Sequence, residues 1–157
     1  GFYWNALEKD YHVGVIASSD HGYGVSYACV YAPENTRESI WQAMWDRRTY
    51  GSTTYGLVLE LRSGNHWMGE EWSQKDAPLL EIFVRGSAPI RSVEIIGRSR
   101  VLHAEGSLEK PLNAKEHRLR WTDPEWDAQT AEQWYYVRVI QSDDEMAWSS
   151  PVWVKKP

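Results

Sequence analysis

The sequence predicts an α+β protein in which a short α/β segment leads into a mostly antiparallel, immunoglobulin-like β-sandwich. Three observations carry this reading. Compact apolar runs alternate with helical patterns over the first fifty residues, the hydrophobic period changes to two from Gly56, and about seven short strands separated by turn signals follow Pro78. The chain of 157 residues is long enough for one domain or two small ones. The pattern divides it into residues 1–55 (the end of an α/β domain), 56–77 (a β-hairpin and linker) and 78–157 (the sandwich).

Tyr3, Trp4 and Leu7 fall at helical spacing and open the chain with a short helix. The run His12-Val13-Gly14-Val15-Ile16-Ala17 reads as a buried strand, Ser18 to Gly24 as a loop, and Tyr27-Ala28-Cys29-Val30-Tyr31-Ala32 as a second buried strand ended by Pro33. Asn35-Thr36-Arg37-Glu38 offers a capping box. Ile40, Trp41, Met44 and Trp45 then recur at three and four, an apolar stripe on a helix that runs out near Tyr50-Gly51. Two buried strands are too few for a stable layer, so this segment reads as the end of something larger.

Residues 57–62 and 66–70 flank Ser63-Gly64-Asn65 and predict a hairpin. Further strands are predicted at 79–85, 91–97, 100–105, 116–121, 134–141, 146–149 and 152–154. Alternation puts Leu80, Ile82, Val84, Val93, Ile95, Leu119 and Trp121 on the core side, with Arg118 and Arg120 opposite. Strand 134–141 is apolar on both faces: Tyr135, Val137 and Val139 fill one, Trp134, Tyr136 and Ile140 the other. Its second face therefore needs a cover, and the α/β segment of the same chain is the expected one.

Composition narrows the function classes. The formal net charge of −5 and the absence of a basic stripe exclude a surface built for nucleic acid. No apolar run approaches the roughly 18 residues of a membrane span, and no leader pattern directs export. A single cysteine, Cys29, cannot form an internal disulfide, so the compartment is not readable. Ten Trp and nine Tyr against two Phe favour sheets and surfaces where a ring keeps one wet edge. No phosphate-binding loop, nucleophile elbow or cysteine-based site occurs.

The candidate chemistry lies in Ser18-Ser19-Asp20-His21, just past the carboxyl end of an apolar run, where α/β folds place ligands. Asp20 and His21 offer oxygen and nitrogen donors suited to a divalent metal. Taken alone, the same pair also reads as a turn in which Asp20 accepts from a backbone amide and His21 is exposed. Arg47-Arg48 at the helix end could meet an anionic substrate or complement the helix dipole, and the dipole reading is the plainer one.

The run Val13 to His21, the strand Tyr27 to Ala32, the helix Arg37 to Met44 and Arg47-Arg48-Thr49-Tyr50-Gly51-Ser52-Thr53 resemble the last part of polymerase-and-histidinol-phosphatase-like (PHP-like) metal-dependent hydrolases, in a bacterial branch of that superfamily. The closing runs Trp134 to Gln141 and Ala147 to Val154 look like the C-terminal end of the same branch. The resemblance implies a seven-stranded distorted β/α barrel holding two or three divalent metals (Mn, Zn or Fe) through His, Asp and Glu, with Asp20 and His21 in its final metal-binding element. That element is usually Asp-x-His, whereas Asp20 and His21 are adjacent here. The early His-x-His pair has no counterpart among His12, His21, His66, His103 and His117.

A catalytic metal site commonly needs three protein ligands and an open position, so two donors predict a chain that is not catalytic alone and need hold no metal of its own. The implied whole is a phosphoesterase-like hydrolase whose N-terminal barrel segment is the chain's main partner. A homodimer formed by pairing of exposed strand edges is the other partnership open to it. A different class, a carbohydrate- or protein-binding sandwich, rests on the tryptophans. Trp41, Trp45 and Trp121 fall on predicted buried faces, and only Trp126 and Trp72 read as exposed. A purely structural bracing role is the third reading.

Overall fold

In a computed structural model, residues 3–19, 21, 24–129 and 131–157 are described. The fold is β-rich α+β, dominated by antiparallel strands. Helix α1 (Tyr3–Leu7) is followed by β1 (Tyr27–Val30), α2 (Arg37–Trp45), β2 (Thr49–Ser52), β3 (Val58–Ser63), β4 (His66–Trp67) and β5 (Glu71–Ser73). Then come β6 (Leu79–Gly97), β7 (Arg100–Glu105), β8 (Ala114–Thr122), a 3-10 turn at Trp126–Ala128, β9 (Gln133–Gln141), β10 (Met146–Ser149) and β11 (Val152–Lys155).

The two strands expected at 79–85 and 91–97 are one bent strand. The first half of β6 pairs with β3 and β8, the second with β9 and β7, and the register shifts between Arg85 and Ile90. A strand that changes neighbours at a bend turns one sheet over onto itself. The bend, Gly86-Ser87-Ala88-Pro89, is pinned by fully buried Gln141, whose Oε1 accepts from the Ala88 amide at 3.3 Å and whose amide nitrogen donates to Ser87 Oγ at 3.2 Å. The path β1-β2-β10-β9-β6-β3-β4 runs through this corner, so strands from both ends of the sequence share one hydrogen-bonded system.

The core lies inside the curl. Leu80, Ile82, Val84, Val93, Ile95, Leu119, Tyr135, Val137 and Val139 are all buried there, on the faces that period-two alternation assigned them. A second cluster covers the other face of β9: Trp134 and Tyr136 pack with Ile96, Trp153 and Leu7, flanked by Tyr3, Trp4 and Trp148. The cover thus comes from α1, while Trp153 of the adjacent strand β11 extends the same face beside Trp134. Leu7 anchors α1, and Asp10 at φ 58 reverses the chain after it.

Several local expectations differ from the structure. Residues 11–19 are not a strand, because both edges of β2 are already taken by β1 and β10. The segment instead crosses over β2, close enough that a Cβ on Gly51 would come within 2.9 Å of Ala17 Cβ. β1 and β2 run antiparallel, so helix and strand alternation here does not produce a parallel layer. The α2 cap falls at Thr36 rather than Asn35: Thr36 Oγ1 accepts from the Ser39 amide at 3.3 Å, and Ser39 Oγ accepts from the Glu34 amide at 3.2 Å.

The α2 stripe is another. The helix buries Ala43, whereas Trp41 and Trp45 are 65% and 72% exposed and Met44 is also exposed. Their rings stack with centroids 6.3 Å apart. Trp126, read as exposed, is 2% exposed, and its indole N–H donates to the Lys75 carbonyl at 3.0 Å. Among the described residues no helix is long and apolar enough to cross a membrane.

Candidate functional site

The ordering of three strands builds the site. β11 lies between β9, to which it is antiparallel, and β5, to which it is parallel, so Trp153 has Trp134 on one side and Glu71 on the other. Trp153 is a buried floor. Above it the chain leaving α1 lays the His12 ring, stacked at 4.8 Å between centroids and 27° between planes. Glu132, immediately before β9, closes the opposite side.

His12 is thereby held between two carboxylates. Its Nδ1 lies 2.8 Å from Glu71 Oε2 and its Nε2 2.7 Å from Glu132 Oε1. The neutral imidazole has one N–H and one lone pair, so it satisfies one of these contacts as donor and leaves the other nitrogen with its lone pair toward an oxygen. His12, Glu71 and Glu132 are the one set of His, Cys, Asp or Glu among the described residues with ligand atoms close enough to hold a common metal ion, all within 4.8 Å of one another.

Arg47 braces the set from the far side. Arg47 sits at φ 58 just past α2, where the Arg48 amide reaches the Ala43 carbonyl at 2.9 Å and the Arg47 amide the Met44 carbonyl at 3.1 Å, a Schellman ending. Its guanidinium also reaches beyond the helix end. Nε donates to the Gly69 carbonyl at 2.9 Å, Nη2 lies 3.6 Å from Glu71 Oε1, and the group sits 5.2 Å from the Trp153 ring centroid. Gly69 permits this because its φ is +94 and a Cβ there would strike the carbonyl oxygens of Asp46 and Arg47. Arg48 turns instead to Glu70, 3.3 Å away.

The His12 and Glu132 side of the cluster opens into a cavity of about 340 Å³, also lined by Glu8, Asp10, Arg98 and Trp153. Arg98 belongs to a buried network behind it. Asp123, 2% exposed, accepts from Arg98 Nη1 at 2.6 Å, from the Tyr135 hydroxyl at 2.8 Å and from the Glu125 amide at 2.9 Å. Burial by itself would raise the Asp123 carboxyl, but these three donors outweigh it and hold it below the usual carboxylate range. Burial, and then the Asp123 carboxylate, push the Tyr135 hydroxyl far up, so it stays a donor.

Of the two metal ligands expected from the sequence, Asp20 lies outside the described residues. His21 sits in a turn with an exposed side chain and is not part of the His12 cluster. The residues that do converge, His12, Glu71 and Glu132, are 59 and 61 positions apart in sequence and carry no local motif. Their signal exists only once β5, β9 and β11 are in register. The His66 ring stacks on half-buried Trp72 at 4.2 Å and its Nδ1 lies 3.0 Å from Glu70, whereas Trp67 meets Tyr31 and the Arg62 guanidinium instead.

No solved structure matches the chain. An uncharacterized protein of Chlamydia pneumoniae is 32% identical over 148 residues, an alignment that takes in 84% of this chain and 23% of the relative. Uncharacterized proteins of Chlamydia trachomatis serovar D and Chlamydia muridarum are 30% and 28% identical over 87% and 98% of this chain, and 24% and 27% of their own lengths. The chain therefore spans about a quarter of the length of the curated relatives it matches. Over residues 8–83, nearly half its length, the chain is similar to the family described as "Protein of unknown function (DUF3604)".

Proposed function

We propose that the chain is the C-terminal part of a PHP-like, metal-dependent hydrolase of the phosphoesterase class, and that its β-sandwich braces a barrel supplied by the rest of a longer polypeptide. The observation that supports this most is the exposed α2 face. Trp41, Met44 and Trp45 stand in solvent on a helix whose sequence resembles the last part of those enzymes. Val13, Ile16 and Val25, on either side of the Asp20-His21 loop, are exposed as well. The length ratio to the Chlamydia relatives leaves ample chain to cover them.

In this reading Asp20 and His21 contribute two donors to a metal centre in the barrel mouth, and the remaining ligands come from the rest of the polypeptide. The bound ions would supply an activated water for attack on a phosphoester. The chain's own residues have a positioning role: Ala17 resting on Gly51 and the Val15 amide donating to Ser150 Oγ at 2.9 Å tie the segment before Asp20 to the sheet.

The test is phosphoester turnover with Mn²⁺ or Zn²⁺ by a protein of the relatives' full length carrying this segment, beside its Asp20→Ala variant and beside the 157-residue chain. Turnover by the long protein, lost in the variant and absent from the short chain, is the expected result. Asp20-dependent turnover by the short chain, or an active Asp20→Ala long protein, would overturn the reading.

A further inference from the structure

We propose that His12, Glu132 and Glu71 form a divalent transition-metal site at the mouth of the 340 Å³ cavity, separate from Asp20-His21 and independent of the hydrolase reading. His12 Nε2 and the Glu132 carboxylate are the ligands. Glu71 accepts from Nδ1–H at 2.8 Å, the carboxylate–histidine arrangement that fixes the tautomer and aims the Nε2 lone pair at an ion.

The surroundings fit each role. Arg47 engages Glu71 through Oε1, at 3.6 Å, while Oε2 serves His12, so the orienting carboxylate is itself held. Trp153 supports the ring from below. Glu132 and His12 both line the cavity. An ion there keeps its remaining positions open to water, with Glu8 and Asp10 on the same wall to accept hydrogen bonds from it.

The spacing selects the ion. With metal–donor distances of about 2.0–2.2 Å, donors as close as Nε2 and Oε1 subtend an angle of about 80° at the ion, nearer to octahedral than tetrahedral coordination. The imidazole ligand disfavours Ca²⁺ and Mg²⁺. Co²⁺, Mn²⁺, Fe²⁺ or a six-coordinate Zn²⁺ is therefore the class of cation taken.

The experiment uses the Asp20→Ala chain, so that binding at the other loop is removed. Calorimetric titration with Co²⁺ and Zn²⁺ is expected to give one ion per chain. His12→Ala and Glu132→Gln lose it, and Glu71→Gln weakens it about 10- to 100-fold. Long-range ¹H–¹⁵N spectra of the His ring in the Asp20→Ala chain need no further variant: with Zn²⁺ present, His12 Nε2 is to carry the metal-bound shift while Nδ1 keeps its proton. Absence of binding at millimolar metal, binding unchanged in His12→Ala and Glu132→Gln, or an unperturbed His12 Nε2 would each overturn the site. None of these outcomes bears on Asp20.

Discussion

Arg98 and Asp123 form a two-pronged ion pair behind the cavity, with Nη1 2.6 Å from Oδ2 and Nη2 3.2 Å from Oδ1. Arg98 itself sits at φ 48 in the tight turn between β6 and β7, and Asp123 immediately follows β8, so the pair ties the β6–β7 turn to the end of β8. The Tyr135 hydroxyl completes the carboxylate's shell from β9.

This pair sets an acid limit on stability. The folded Asp123 carboxyl lies below its ordinary value, so its contribution is fully present above the unfolded value near pH ~4 and is lost as the pH falls through the folded one. Asp123→Asn is expected to cost about 2–4 kcal/mol at pH 7, because Arg98 and Tyr135 lose their charged acceptor. The gap should narrow below pH ~4. Urea unfolding of both proteins at pH 7 and pH 3 checks it, and an equal gap at both would count against this assignment.

Gly69→Ala should disturb the His12 cluster without touching it. The positive φ and the carbonyls of Asp46 and Arg47 leave no room for a Cβ, so a loss of about 1–3 kcal/mol or more is expected. The backbone shift also moves the carbonyl that holds Arg47. Thermal unfolding gives the first effect, and a change in the His12 ring ¹⁵N shifts reports the second.

Trp126 is a core residue with one polar tie. Trp126→Ala is expected to cost about 3–5 kcal/mol through the cavity it leaves. Trp126→Phe keeps most of the volume but leaves the Lys75 carbonyl without its donor, a cost of about 1–3 kcal/mol. Denaturant titration of the two variants separates packing from hydrogen bonding. A harmless Trp126→Ala would contradict its burial.

Trp41→Ser with Trp45→Ser should leave the stability of this chain within about 0.5 kcal/mol, since both rings are in solvent. The same change should reduce iodide-quenchable fluorescence and any self-association seen by sedimentation. In a protein of the relatives' length the cost should be several-fold larger where a barrel covers α2. An equal, small cost in both would leave the covered-helix reading without support.

Much of the β-rich architecture was legible because a strand's period of two is a local property. Leu80, Ile82 and Val84 alternate with exposed or half-buried neighbours, so their buried face follows from spacing alone, whereas β9 is buried on both faces and showed in the sequence as apolar residues at every second position on each side. The hairpin at Gly64 was equally local: φ +57 at a turn residue is a demand that glycine meets at no cost. Helix α2 was found by its period, yet its buried side was not, because an apolar stripe shows that a face wants cover without showing whether cover exists.

By itself, then, the sequence determined the β-rich class, most of the strand positions beyond residue 57, the core faces of β6, β8 and β9, and the need to cover the second face of β9. Each depends on contacts within a few residues or on the alternation of a single strand. Only the tertiary structure decided that residues 79–97 are one strand bent over Gln141, that 11–19 crosses β2 instead of joining it, and that His12, Glu71 and Glu132 meet over Trp153. Those outcomes depend on which sheet edges are already occupied and on the register of β11 between β5 and β9. Pairings between segments far apart in sequence leave no periodic trace in any one of them.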